Sequence, residues 1–230
     1  MGTPGHSPSF NIKCLKSWRK LAACRPIMDI RTVLSVFVGS SSMAMTTSPD
    51  RRVQRTRGAL MSAFIELVLT RGYEAVTAED ISRKANVGRS TFYLHYANKA
   101  ALLAESIRNP SSRMAACVGG NVTPQQLLPL LEHFREQRTV NRTFFIEPIK
   151  SLWVKSLAAL IEPRLAAKAG MVRPDIPRPL VALMIAEMQI ALIVHWLSSR
   201  PTLKPEPIAS ALIANTHAML SAFGRSDRPK

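Results

Sequence analysis

From about residue 50 onward, apolar residues recur at spacings of three and four rather than two, a pattern that predicts an all-α protein. Leu60, Phe64, Leu67 and Val68 line one face of a helix expected from Arg51 to Arg71, with Gly72 positioned to end it. Tyr73 and Val76 then fall where core residues beneath the next helices belong. Thr77 to Lys99 reads as two short helices joined by a tight turn. Thr77 is a good N-cap, and Asp80 three positions later can complete a capping box despite its short side chain. Ile81 and Ala85 continue the apolar stripe until Asn86-Val87-Gly88, two residues tolerant of left-handed backbone around an inward valine. Arg89-Ser90-Thr91 opens the second helix with a polar end, and Phe92 behind it is core, packing on Ile81 and Leu60. Asn98 caps a fourth helix through Leu102, Leu103 and Ile107, and Asn109-Pro110-Ser111-Ser112 interrupts or ends it.

The second half continues the helical period. Thr123-Pro124 supplies a cap and an N1 proline for a helix carrying Leu127, Leu128, Leu131 and Phe134. Thr143 to Ala169 is a long helical pattern that Pro148 and Pro163 should kink or divide. Leu180 to Leu197 is apolar almost all round, as suits a fully buried helix. A bilayer span is the weaker reading, because Glu187, Gln189 and His195 interrupt the segment and Arg178 and Arg200 flank it evenly. A last helix is expected from about Glu206 to Phe223.

Short helix, three-residue turn and short helix with a polar leading end form the helix-turn-helix pattern, whose second helix enters the DNA major groove. The run Thr91-Phe92-Tyr93-Leu94-His95-Tyr96-Ala97-Asn98-Lys99 resembles the T-x-Y-x-H-F-x-x-K signature of TetR-type transcriptional repressors, and the resemblance extends roughly from Arg51 to Ile107. Asn86 stands where the family most often has Gly, Tyr96 where it has Phe, and Gly88 at an N-cap that is commonly Ser. The resemblance implies a three-helix DNA-binding domain over residues 49–108 and an all-helical effector-binding and dimerisation domain over 120–225. Base-edge contacts are expected from Arg89, Ser90 and Thr91, with Arg89 able to pair with guanine. Thr77, the Tyr93 hydroxyl, His95 and Lys99 are expected on phosphates, as the matching family positions are. His95 is alternatively a buried structural histidine, and Leu94 either meets a thymine methyl or faces solvent.

Charge agrees with a polyanionic partner. The chain carries 31 Lys+Arg against 15 Asp+Glu, a net charge of +16. The Arg51-Arg52-x-x-Arg55-x-Arg57 cluster lies where a helix end can touch the DNA backbone. Three cysteines, Cys14, Cys24 and Cys117, form neither a disulfide framework nor a metal site, which points to a reducing cytoplasm, beside the nucleoid. GxSxG, HExxH, Walker and GxGxxG motifs are absent from the sequence, and with them any argument for an enzyme, a metal or a cofactor.

Two apolar helices at the end of the chain are more than one protomer can cover. By the resemblance, they form a four-helix dimer interface, so that two recognition helices read a pseudo-palindromic operator. Phe134, Trp153, Glu187, Gln189 and His195 are the polar or aromatic groups expected to line a pocket for a small-molecule effector. The competing reading makes the aromatics ordinary core and satisfies the polar groups at the dimer interface. An architectural, effector-independent DNA-binding protein is the alternative function. Residues 1–48 show no periodicity, and two readings stand for them: a basic arm (Lys13, Lys16, Arg19, Lys20, Arg25), or an upstream stretch left untranslated by a start at Met43 or Met45.

Overall fold

The computed structural model describes residues 48–138, 143–167, 172–199 and 203–224. The amino-terminal arm, with Cys14 and Cys24, lies outside the described residues. Nine α-helices and no strand occur among those described. The long first helix α1 (Ser48–Arg71) buries Leu60, Phe64, Leu67 and Val68, the apolar face read from the sequence. Gly72 ends it at φ +79°, its N–H donating to Val68 O at 2.9 Å, a left-handed cap that a Cβ would strain. Tyr73 and Val76 turn under the next two helices, α2 (Ala78–Lys84) and α3 (Arg89–His95), with Phe64 and Tyr73 meeting edge to face at 6.3 Å. Phe92 is fully buried in the same core as Leu60 and Ile81, a burial that contributes on the order of 2–3 kcal/mol.

The expected fourth helix is two. Asn98 caps α4 (Lys99–Ser106), its Oδ1 accepting from Ala101 N at 2.9 Å. A second helix, α5 (Arg108–Ala115), starts after Ile107. Pro110 explains the break: it has no N–H to bond Ser106 O, yet its fixed φ suits the first turn of a new helix. A 3₁₀ turn (Ala116–Gly119) and Gly120 at φ +78° lead to α6 (Pro124–Glu136), which opens with the Thr123–Gln126 capping box.

Pro129 lies within α6, and Pro163 within α7 (Ile149–Ala166); neither divides its helix. The long pattern from Thr143 is instead shortened at its start, because Pro148 occupies the N-cap of α7 and Phe144 and Phe145 pack from the segment before it. α7 lies against α4, α5 and α8 (Arg178–Ser198), while α6 lies against α9 (Pro205–Phe223). Arg138 donates to the carbonyls of Leu197 and Ser199, satisfying acceptors that the end of α8 leaves open.

The protomer does not bury α8 completely, in keeping with the expectation that one protomer cannot cover both terminal helices. Val181, Ile185, Gln189 and Ile193 face inward, whereas Leu180, Leu183 and Met184 are 49%, 41% and 39% exposed and Glu187 and His195 share their side. By length and composition α8 could cross a membrane; half of its apolar window is packed inside the protein.

Candidate nucleic-acid interface

The helix-turn-helix is built by local hydrogen bonding. Thr77 Oγ1 accepts from Asp80 N at 3.1 Å, and Asp80 Oδ2 accepts from Thr77 N at 3.1 Å and from the Thr77 hydroxyl at 2.6 Å. These hydroxyl and backbone bonds from Thr77 hold the Asp80 carboxyl below its usual range, with Arg71 (3.5 Å) and Arg83 (3.9 Å) adding to the effect. Asn86 takes the left-handed turn at φ +54°, a conformation asparagine tolerates. Val87 N–H returns to Ser82 O at 3.0 Å, and its side chain packs on the core. Gly88, at φ −64°, is the N-cap of α3 and offers no side-chain acceptor.

In α3 only Phe92 is buried. Arg89, Ser90 and Tyr93 are exposed, Thr91 and His95 half-buried, and Leu94 is 81% exposed. The Arg89 guanidinium lies 5.7 Å from the centroid of the Tyr93 ring, one turn on, within cation–π range. The residues expected at base edges therefore share one polar end, with Leu94 as an uncovered apolar group on the same short helix.

Two of the residues expected on phosphates, Lys99 and Thr77, have their polar atoms engaged within the protein. Lys99 Nζ donates to the carbonyls of Tyr73 (2.9 Å), Glu74 (3.2 Å) and Val76 (3.1 Å), and lies 4.4 Å from the Tyr73 ring centroid. An ammonium has three donors, so none is left for a phosphate. Thr77 likewise commits its N–H and its hydroxyl proton to Asp80. Both residues hold the motif's frame.

Ion pairing also sorts the basic residues. Arg57 pairs with Glu105, which also accepts from the Tyr96 hydroxyl at 3.1 Å; Lys84 pairs with Glu66; and Arg83 pairs with Glu79 at 3.1 Å. The Glu105 anchor was missed in the sequence, since an acid on the next helix gives no periodic signal. Among the described residues, no ion pair takes up Arg51, Arg52, Arg55 or Arg89, all of them exposed. Three stand on the first turns of α1 and one opens α3.

Of the residues expected around an effector, Phe134 and Trp153 are brought into contact. Phe134 and Trp153 are fully buried and meet at 6.1 Å edge to face, with Phe145 stacked on Trp153 at 4.5 Å. Gln189 is buried farther along, its amide reaching Met114 O and Thr216 Oγ1. Glu187 and His195 lie on the exposed side of α8. A separate open groove of about 450 Å³ lies between Arg113, Val122, Gln126 and Pro129. Cys117 is buried, and burial pushes its thiol up to about 11. Among the described residues, no cluster of three or more His, Cys, Asp or Glu side chains is placed to hold a metal.

A three-helix unit that exposes a polar helix after a tight turn defines a helix-turn-helix domain. Residues 60–106 match the family model "Bacterial regulatory proteins, tetR family", so the helix-turn-helix part of the chain is similar to the DNA-binding domain of those transcriptional regulators. It is 50% identical over 60 residues to the HTH-type transcriptional regulator YxbF of Bacillus subtilis, a match covering 26% of this chain and 16% of that protein. It is 23% identical over 186 residues to the HTH-type transcriptional repressor KstR of Rhodococcus jostii, covering 74% and 83% respectively. A TetR transcriptional regulator from Streptococcus agalactiae aligns in structure at 28% identity with a TM-score of 0.49, over 73% of this chain and 97% of that one. The match to YxbF thus spans under a fifth of that relative, and lies in the helix-turn-helix half.

Proposed function

We propose that this regulator is a sequence-specific transcriptional repressor acting in the cytoplasm. In this reading residues 49–108 bind DNA, residues 120–225 bind an effector and dimerise, and effector binding releases a pseudo-palindromic operator. The observation that carries it is the leading end of α3, where Arg89, Ser90 and Thr91 are presented on a helix anchored by one buried residue, Phe92. Arg89 is free to make a bidentate contact to guanine, and Tyr93 and His95 stand farther along the helix toward the DNA backbone. Dimerisation is supported by the uncovered apolar side of α8, and the repressor role by the name of the relative KstR.

Selection of bound sequences from random DNA tests the reading. An enriched site with two-fold symmetry is expected, its half-site centres about one helical turn apart or a multiple of it. Recovery of no preferred sequence would favour an architectural protein and sink the repressor reading.

A further inference from the structure

The outward direction of α3 is set by its one buried residue, Phe92. An α-helix turns about 100° per residue, so Ser90 and Leu94, each two positions from Phe92, stand about 160° around the axis from it. Thr91 and Tyr93 stand at about 100°, and Arg89 and His95 at about 60°. Exposure follows the same order: Phe92 is buried, Tyr93 about half exposed and Leu94 81% exposed. Ser90 and Leu94, one turn apart, are therefore the row that points straight away from the core.

The fold does not explain a leucine in that row. Leu94 is not among the side chains packed on the core. No other large apolar side chain among the described residues is as bare, the next being Ile146 at 52%. A single exposed leucine is ordinary on a protein surface. This one sits at the centre of a face whose other side chains all carry polar groups, on the helix read as entering the major groove.

In that groove the C5 methyl of thymine is the apolar group that the base edges present. Against cytosine N4 or adenine N6, a leucine would strip water from a donor and return no acceptor. The side chain thus favours one base by contact and disfavours two by desolvation. It also lies five residues beyond Arg89, about 7.5 Å along the axis, against about 3.4 Å between stacked base pairs, so the two reach different base pairs.

We propose that Leu94 is a specificity-determining residue that reads a thymine methyl in each operator half-site. This deepens the repressor reading above and rests on it.

The full-length protein selects its preferred site from random DNA. Each thymine of that site is then replaced by deoxyuridine, which keeps the base pair and removes only the methyl. Wild-type protein should lose about fourfold in affinity at one thymine per half-site, the effect of leaving one apolar carbon in water. Leu94→Ala should bind the thymine and uracil sites alike, and its own selection should relax at that position. Its circular dichroism and urea midpoint should match wild type, since the side chain supports nothing beneath it. The proposal is overturned if no uracil substitution weakens wild-type binding. It is equally overturned if the penalty persists in Leu94→Ala, which would give the methyl to another side chain such as Thr91. A change in the sedimentation of the free variant would assign Leu94 to a contact between copies instead. Selection that recovers no preferred sequence sinks the repressor reading and this proposal with it, whereas a preferred symmetric site without a methyl effect overturns the proposal alone.

Discussion

Two basic residues ten positions apart do opposite work, and their polar surroundings show why. Lys99 spends all three of its donors on consecutive turns of the loop between α1 and α2. Lys99→Met should therefore cost about 1.5–3 kcal/mol of folding stability in urea denaturation, the range for hydrogen bonds to a charged group. It should weaken specific and random DNA together while leaving the salt slope unchanged. A slope lowered by about one unit would instead restore a phosphate role for this lysine. Arg89 makes no ion pair among the described residues and meets only the Tyr93 ring. Arg89→Ala should leave stability nearly untouched, cost about 1–3 kcal/mol on the selected operator, and relax preference at one base position per half-site. Equal losses on operator and random DNA in a competition assay would refute its base-reading role.

At the level of elements, α2 and α3 differ in how they begin. α2 has a full capping box, and the Asp80 carboxylate also favours the positive end of the helix. Because its folded pKa is depressed below the ordinary 3.8, this contribution is fully present above that value and is lost as pH falls through the lower folded one. Wild-type protein and Asp80→Asn should thus differ in melting temperature near neutral pH, a difference that shrinks as pH falls below 3.8. α3 begins at Gly88 without a side-chain cap, yet a Cβ there meets only Ser90 Oγ and Thr91 Oγ1, both at 3.6 Å, and φ is ordinary. Gly88→Ser should stabilise the domain by about 0.5 kcal/mol, read as a higher urea midpoint. These caps were legible in the sequence because capping is a local code of one to four residues, and so were the apolar faces of α1 and α2. The end of α4 near residues 109–112 was legible as well, but not the second helix that runs through those residues, because the polar run from Arg108 to Arg113 carries no apolar stripe. The Glu105–Arg57 pair, the engagement of Lys99 with three carbonyls and the outward Glu187 and His195 are tertiary facts. No spacing along the chain encodes which helix will lie against which.

On the scale of the whole molecule, ion pairs engage Arg57, Arg71, Arg83 and Lys84, so the basic residues near the helix-turn-helix are not equally available to a polyanion. Arg51, Arg52 and Arg55 are the exposed cations of α1 outside any ion pair among the described residues. Their joint replacement by Gln should lower the salt slope by about 0.9 for each phosphate no longer neutralised, with operator preference kept. In the repressor reading proposed above, preference depends on assembly, because one seven-residue helix would reach only a half-site. The side of α8 bearing Leu180, Leu183 and Met184 is left bare by the protomer, and α9 turns the small residues Ser210, Ala214, Ala218 and Ala222 outward. Small residues let a second copy approach closely, and the leucines supply apolar area worth about 25 cal/mol per Å² buried. Leu183→Glu would place a carboxylate where that area closes, and Ala218→Arg a bulk that α9 cannot absorb; both side chains stand outside the protomer core and should leave its fold intact. Each should shift the dimer dissociation constant by at least about a hundredfold, or nearly 3 kcal/mol. In sedimentation the variants should run as monomers at micromolar concentration with unaltered circular dichroism, and their operator affinity should drop toward that of random DNA. Variants that stay dimeric would place the interface elsewhere on the helical half, and would leave the bare side of α8 without the partner its leucines imply.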